Sequence, residues 1–472
     1  MKEIVHRMGH RDIFLLIITG GCAGILNYFF SYAFFVVSLV AGLCIFVYRN
    51  YPRDESWFLV RLIMINFFSL TFLSMLGHML GPITNEFHAP SSFPSRFLFG
   101  DAEWIHRNAY NISMLAHDKL ANIVQLTPDK VITPGFGQSV YLYLVAFLYY
   151  LFQPDCLLAS LVNILLLNMS GVLIYSICAK IFSKDIARIN ILLFLFFPSI
   201  VLWAISGLKD TTIIFLSLLL VYNILVFHKG AKFFFVLRAI VISVAVFLIN
   251  FSRHHLGALL MVSIIVAITF IRLNHKPYKR KIYVASSLAA ILLIISCARP
   301  LKSVMNKFYR QAYHVHLGIV IDNRGFIYKL LPEKFYKYPV TEYPKAGDYF
   351  TMSIKGIFYF IASPFPFFVK SRTIYAATIL ILFWYAILAF SAYGMVISLW
   401  KRFPESLPLF VPALLIAFIY GIHSGNYGTV FRHRDMLTPF CLFFASVGIY
   451  YFFLNKTNKM TNKENDKGIA SY

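Results

Sequence analysis

Two acids, Asp101 and Glu103, stand at the head of a polar stretch that runs from Gly100 to Asp118 between long apolar runs. With Asp101 as the first helical residue, Trp104, Ile105, Ala109, Ile112, Leu115 and Ala116 recur at a spacing near 3.6 on one side. His106, Arg107, Asn111 and Asp118 then fall opposite, which predicts a helix lying in an interface. A carboxylate beside a headgroup layer can take a proton from a hydroxyl acceptor, and transfer from a phosphate-linked donor is the chemistry that uses it. The competing reading is local: Asp101 caps the helix and Glu103 answers its dipole.

Three further charged clusters border apolar runs: Lys209-Asp210, Arg253-His254-His255 and Arg432-His433-Arg434-Asp435. Such residues are costly there unless they sit in water, pair with each other or bind something. Arginine forks match phosphate oxygens, so Arg432 and Arg434, with His433 between them, are candidates for a donor phosphate. Lys209, Arg253 and His254 are weaker candidates for the same group. Lys209-Asp210 can equally be a self-paired helix end and Arg253-His254-His255 an interfacial anchor. A histidine pair with no further ligand does not make a metal site, and no cofactor is indicated, although a divalent cation is compatible with this chemistry.

The elements that position these residues are membrane helices. The chain is 59% hydrophobic and 13% charged, with several runs long enough to cross a bilayer and no space for a large soluble domain. The formal net charge of +23 does not point to nucleic acid, because Lys and Arg are spread over short loops. Membrane orientation and anionic lipid account for them. The six cysteines lie in or beside apolar runs without metal-like or redox spacing. The polar start, Met1 to Asp12, precedes an apolar stretch longer than a signal-peptide core, so the N-terminus is expected to be retained.

Residues 13–48 are too long for one span and read as a helical hairpin, followed by a span at 57–80 that carries 82–137 to the far face. Keeping the basic connections at Lys180 to Arg188, His228 to Lys232 and Arg272 to Lys281 in the cytoplasm requires 139–152 to dip in or lie on the surface. Spans are then expected at 155–178, 187–206, 211–228, 233–251, 255–273, 281–298, 374–399, 407–423 and 436–454, about twelve in all. The polar stretch 299–353, with nine lysines and arginines against four acids, falls outside and suits phosphate. Residues 354–368, broken by Ser363-Pro364-Phe365-Pro366, read as interfacial or re-entrant. The fold expected is a single all-α polytopic domain over 1–472, with outer loops 82–137, 299–353 and 425–434.

Several stretches carry a resemblance. Asp101 with its amphipathic helix, Thr133-Pro134-Gly135-Phe136 leading into 141–152, and Phe197-Pro198 to Trp203 running into Leu208-Lys209-Asp210 resemble membrane glycosyltransferases of the GT-C type. So do Ser363-Pro364-Phe365-Pro366 and Gly425 to Thr429 with Phe431 to Arg434. The likeness is to lipid-A aminoarabinose transferases and protein O-mannosyltransferases, and it covers most of the chain loosely. The chain departs from them in its Asp-Ala-Glu where adjacent acids are common, in two extra N-terminal spans and in lacking a large soluble C-terminal domain. The resemblance implies a GT-C-like, inverting enzyme that takes a sugar from a polyprenyl-phosphate donor. Its acceptor would be a glycan, lipid or protein, on the outer face of a bacterial inner membrane, with both termini cytoplasmic. It assigns Asp101 as general base and Glu103 as its assistant. A polymerase of lipid-linked surface-polysaccharide repeats needs similar equipment. A transporter or flippase of an anionic lipid is the reading from another class, but it calls for mid-membrane charges and repeated broken helices.

The topology is directly testable. Single cysteines placed at 82–137, 299–353 and 425–434 are expected to react with an impermeant reagent from one side and the C-terminal tail from the other. Labelling of the Asp101 region from the side of the tail would contradict it.

Overall fold

A computed structural model of the chain describes residues 32–80, 101–121, 139–152, 154–226, 232–253, 256–257, 260–261, 263–265, 298–322, 327–337, 340, 342–363, 365 and 372–469. In chain order the helices are α1 (Ala33–Asn50), α2 (Arg53–Leu80), α3 (Asp101–Ala121), α4 (Val140–Leu151), α5 (Cys156–Ile181), α6 (Lys184–Leu195) and α7 (Pro198–Ile205). They continue with α8 (Asp210–Leu225), α9 (Lys232–Ser252), α10 (Ala298–Asp322), α11 (Ala346–Ala362), α12 (Arg372–Lys401), α13 (Phe403–His423), α14 (Tyr427–His433) and α15 (Thr438–Ile469). No strand occurs among the described residues. An isolated antiparallel bridge joins Ile327 to Asn426.

Six of the described helices are long and apolar enough to cross a membrane, and up to eight spans result if each of two bent pairs counts as one. The chain is an all-α membrane protein. The six lie at Ala33–Asn50, Arg53–Gly77, Cys156–Ile181, Phe233–Ser252, Leu380–Lys401 and Glu405–His423, each overlapping a region expected to cross. The span expected at 187–206 is instead a broken pair, α6 and α7, interrupted where Pro198 occupies the first turn of α7. That expected at 211–228 is the 16-residue helix α8, shorter than the roughly 20 residues a bilayer core requires. The last span follows a 64° bend between Tyr427–Met436 and Thr438–Leu454. The N-terminal part of the hairpin expected over 13–48, and most of the spans at 255–273 and 281–298, fall outside the described residues. The polar stretch 299–353 contains α10, a 3-10 turn at Glu333–Tyr336 and the start of α11.

The chain divides into two compact units. Residues 1–173, 195–216 and 248–254 form the first, and 174–194, 217–247 and 255–472 the second. The same device recurs in both: a carbonyl at a helix end, which the helix itself cannot bond, receives a donor from a distant side chain. In the first unit Asn66 Nδ2 reaches the Leu195 carbonyl at 2.8 Å, and Ser74 Oγ the Ile205 carbonyl at 3.2 Å. Asn163 Nδ2 donates to the Leu208 carbonyl in the following turn at 2.8 Å.

In the second unit Arg402 Nη1 donates to the Ile181 carbonyl at 2.8 Å, and Arg238 Nη1 to that of Val226 at 2.7 Å. The end of α11 receives Trp384 Nε1 at Ile361, Tyr385 Oη at Ala362 and Arg434 Nη1 at Ser363 (2.8, 2.7 and 2.6 Å). Glycines let helices touch there. A Cβ on Gly394 of α12 would overlap the Phe444 carbonyl of α15, and Gly356 of α11 meets Gly421 of α13 in the same manner. Apolar side chains of α9 such as Phe233 and Phe247 remain exposed, as lipid-facing residues do.

Candidate functional site

Helix α3 begins at Asp101, as the pattern of apolar residues predicted. Its buried stripe is different: Ala102, Ile105, His106, Ala109 and Ser113 are buried, while Ala116 is exposed. His106 was expected on the polar side with Arg107 and Asn111, yet its ring is fully enclosed against α4. The small residues Ala102, Ala109 and Ser113 explain the shift, since they allow close approach where bulkier Trp104 and Leu115 do not. His106 Nδ1 lies 2.6 Å from Tyr149 Oη of α4.

On its other edge His106 meets the turn between α7 and α8. Gly207 has φ +68, the left-handed region glycine enters without penalty, and a Cβ there would lie 2.9 Å from His106 Nε2. A side chain at 207 would therefore be strained and would push α3 away. The turn is further held by Asn163, and it delivers Lys209 and Asp210, both buried, to the start of α8. Asp210 Oδ1 pairs with Arg253 Nη2 at 3.0 Å, at the end of α9. Ser252, beside Arg253, accepts from the Val140 backbone N–H at 3.1 Å, where α4 starts.

Three of the sequence-selected clusters thus belong to one unit: the acidic helix, Lys209-Asp210 and Arg253. Asp210, fully buried, pairs with Arg253, and a pair of this kind leaves a heavy penalty if either partner is removed. His254 lies outside the described residues. Asp101 and Glu103 are placed by their backbone, at the first and third positions of α3.

The fourth cluster lies in the second unit and divides in two. Asn426 caps α14, its Oδ1 accepting from the backbone N–H of Gly428 (2.7 Å) and Thr429 (3.3 Å). Arg432 and His433, on the last turn, are half-buried, the His433 ring 4.9 Å from that of Tyr420. Arg434 is buried, its guanidinium 4.6 Å from the Trp384 ring centre and bonded to the Ser363 carbonyl. That contact makes it a cap for α11, and its fork points into protein. Asp435 accepts from Thr438 Oγ1 at 3.1 Å.

The polar region ahead of α11 is organised by His316, which the sequence reading passed over. His316 Nδ1 is 2.7 Å from the Ser424 carbonyl, so it must donate there. Nε2 of the neutral ring then accepts from Tyr336 Oη at 2.8 Å. Tyr336 Oη in turn accepts from the Leu330 and Leu331 backbone N–H groups (3.0 and 3.2 Å). Burial pulls His316 down to about 4 and pushes Tyr336 up to about 12. Beside this network Tyr328 stacks on Tyr359 at 4.6 Å, and its N–H donates to the Gly425 carbonyl at 2.9 Å. No group of three or more His, Cys, Asp or Glu residues suited to a metal occurs among the described residues.

No protein-family model, curated protein or solved structure matches this chain.

His316 yields a pH test with a definite sign. Its folded value, about 4, lies below the ordinary histidine value near 6.5, so acid favours the unfolded chain. Its contribution is complete above pH ~6.5 and is lost as pH falls toward ~4, with a slope approaching about 1.4 kcal/mol per pH unit in between. His316→Gln, whose amide can donate to Ser424 and accept from Tyr336, is expected to flatten that window in unfolding experiments on purified protein. An unchanged slope would contradict the assignment.

Proposed function

We propose that the chain is an inverting glycosyltransferase of the GT-C type, with about twelve spans, that takes a sugar from a polyprenyl-phosphate donor. It would work at the outer face of a bacterial inner membrane, in assembly of a surface glycan or glycolipid. The observation that carries this reading is the link from α3 through His106 and Gly207 to the turn bearing Lys209 and Asp210. It sets the helix that opens on Asp101 against the turn that carries Lys209 and the Asp210–Arg253 pair.

In the reaction the acceptor hydroxyl attacks the anomeric carbon while the bond from that carbon to the phosphate oxygen breaks. Asp101 accepts the hydroxyl proton, with Glu103 orienting it, and the lipid phosphate leaves with the bonding electrons. Lys209 and Arg253 stabilise the negative charge on the departing phosphate, and Asp210 fixes the guanidinium. His254 is a further candidate for the same phosphate. Arg432 and His433, in the second unit, are candidate phosphate ligands considered by themselves, whereas Arg434 serves the end of α11. The protein works without a resident cofactor in this scheme. The clustering of charges at helix ends and turns favours catalysis over transport of an anionic lipid.

Sugar transfer from a polyprenyl-phosphate donor by wild type, Asp101→Asn and Asp101→Ala separates a base from a cap. As base, Asp101 is needed for turnover, and both variants lose a factor of about 10² to 10⁴ in rate at equal protein level. As cap only, the Asn form is near-silent and the Ala form loses about 0.5–2 kcal/mol of helix stability. Near-wild-type turnover in Asp101→Asn would end the assignment.

A further inference from the structure

The crossing of α12 and α15 at Gly394 and Gly448 brings two backbones into contact. One turn further along, the facing residues are Ser398 and Lys401 on α12 and Tyr450 and Tyr451 on α15. There a cavity of about 130 Å³ opens, bounded also by Phe182 in the turn between α5 and α6. This far exceeds the ~10–15 Å³ that a single water requires.

The lining is chemically specific. Ser398 is 2% exposed, and its Oγ has no hydrogen-bond partner among the described residues although it borders the cavity. A buried hydroxyl in that condition costs free energy unless a ligand meets it. Lys401 Nζ sits 4.3 Å from the Tyr451 ring centre, a contact that places the charge without neutralising it. Among the described residues Arg402 bonds only through Nη1, to the carbonyls of Ile181 and Phe182 at 2.8 and 3.3 Å, which leaves Nε and Nη2 for an acceptor. The acid in the first turn of α6, Asp185, is 3.8 Å from Arg188, so its charge is answered there.

We infer that this cavity binds the phosphate of an anionic phospholipid headgroup. Two cations and an idle hydroxyl fit phosphate oxygens, and the tyrosine and phenylalanine walls fit the glycerol and first acyl carbons. The lipid source, as opposed to free phosphate, follows from the surroundings. Trp400 of α12 is 88% exposed next to Lys401, and Phe452 and Phe453 of α15 are exposed next to Tyr451, the composition of an interfacial belt running into hydrocarbon. Basic pockets between spanning helices on the side that carries the basic loops are where anionic headgroups bind. This site is independent of the proposed transfer chemistry.

The test is native mass spectrometry of the purified full-length protein with dioctanoyl-phosphatidylglycerol, dioctanoyl-phosphatidylcholine and inorganic phosphate. Phosphatidylglycerol is expected to bind preferentially. Lys401→Gln is expected to weaken that binding roughly tenfold, with partial recovery in Lys401→Arg. Ser398→Leu, which fills the cavity, is expected to abolish it; should that variant fail to fold, the two Lys401 variants decide. Wild-type binding in Lys401→Gln, equal binding of the choline lipid, or displacement by inorganic phosphate at equal concentration would each overturn the inference.

Discussion

A carbonyl that ends a helix inside hydrocarbon has no water to turn to, and leaving it open costs several kcal/mol. The architecture of this chain follows from meeting that demand with side chains borrowed from elsewhere in each unit. Asn66, Ser74 and Asn163 do so around the broken region 195–208, and Arg402, Arg238, Trp384, Tyr385, Arg434 and His316 do so in the second unit. Because these ends are satisfied, short and interrupted helices persist alongside the long apolar ones. Interrupted helices in turn place polar turns such as Ser206 to Asp210 beside buried side chains.

The same constraint separates structural charges from chemical ones. Arg434 and Arg402 each direct a guanidinium nitrogen to a helix-end carbonyl, but Arg434 is enclosed while Arg402 keeps one side of its fork toward a cavity. Asp210 and Arg253 answer each other beside the buried Lys209. Glycine works alongside. At 207 it permits a left-handed turn against His106, and at 394 and 448 it permits backbone contact beneath the cavity.

Much of this was legible in the sequence because long apolar runs leave few options in a bilayer. The six helices of spanning length coincide with expected spans, and α11 ends at Ala362, where Ser363-Pro364-Phe365-Pro366 was expected to interrupt the helix; the break at Pro198, inside a stretch expected to cross unbroken, was not read. The helix opening on Asp101 was legible from its apolar spacing, but its buried face was not. A histidine on a polar-looking side carries no mark that a glycine turn from about a hundred residues later will enclose it. Arg434 was indistinguishable from Arg432 for a similar reason: an arginine aimed at a carbonyl and one aimed at a phosphate look alike in composition. The order within 299–353 was hidden because its stabilising contacts are tyrosine hydroxyls and a neutral histidine, not an apolar stripe of bilayer length.

The central claim is that α3 and the Lys209-Asp210 turn are one assembly through His106 and Gly207. Unfolding free energies of wild type, His106→Ala, Gly207→Ala and the double variant, measured in purified full-length protein, test it most directly. The account predicts that the two substitutions are strongly non-additive, by about 1 kcal/mol or more, since removing the ring relieves the clash that the new Cβ creates. Additivity within about 0.3–0.5 kcal/mol would show that the two residues do not act on each other and would contradict it.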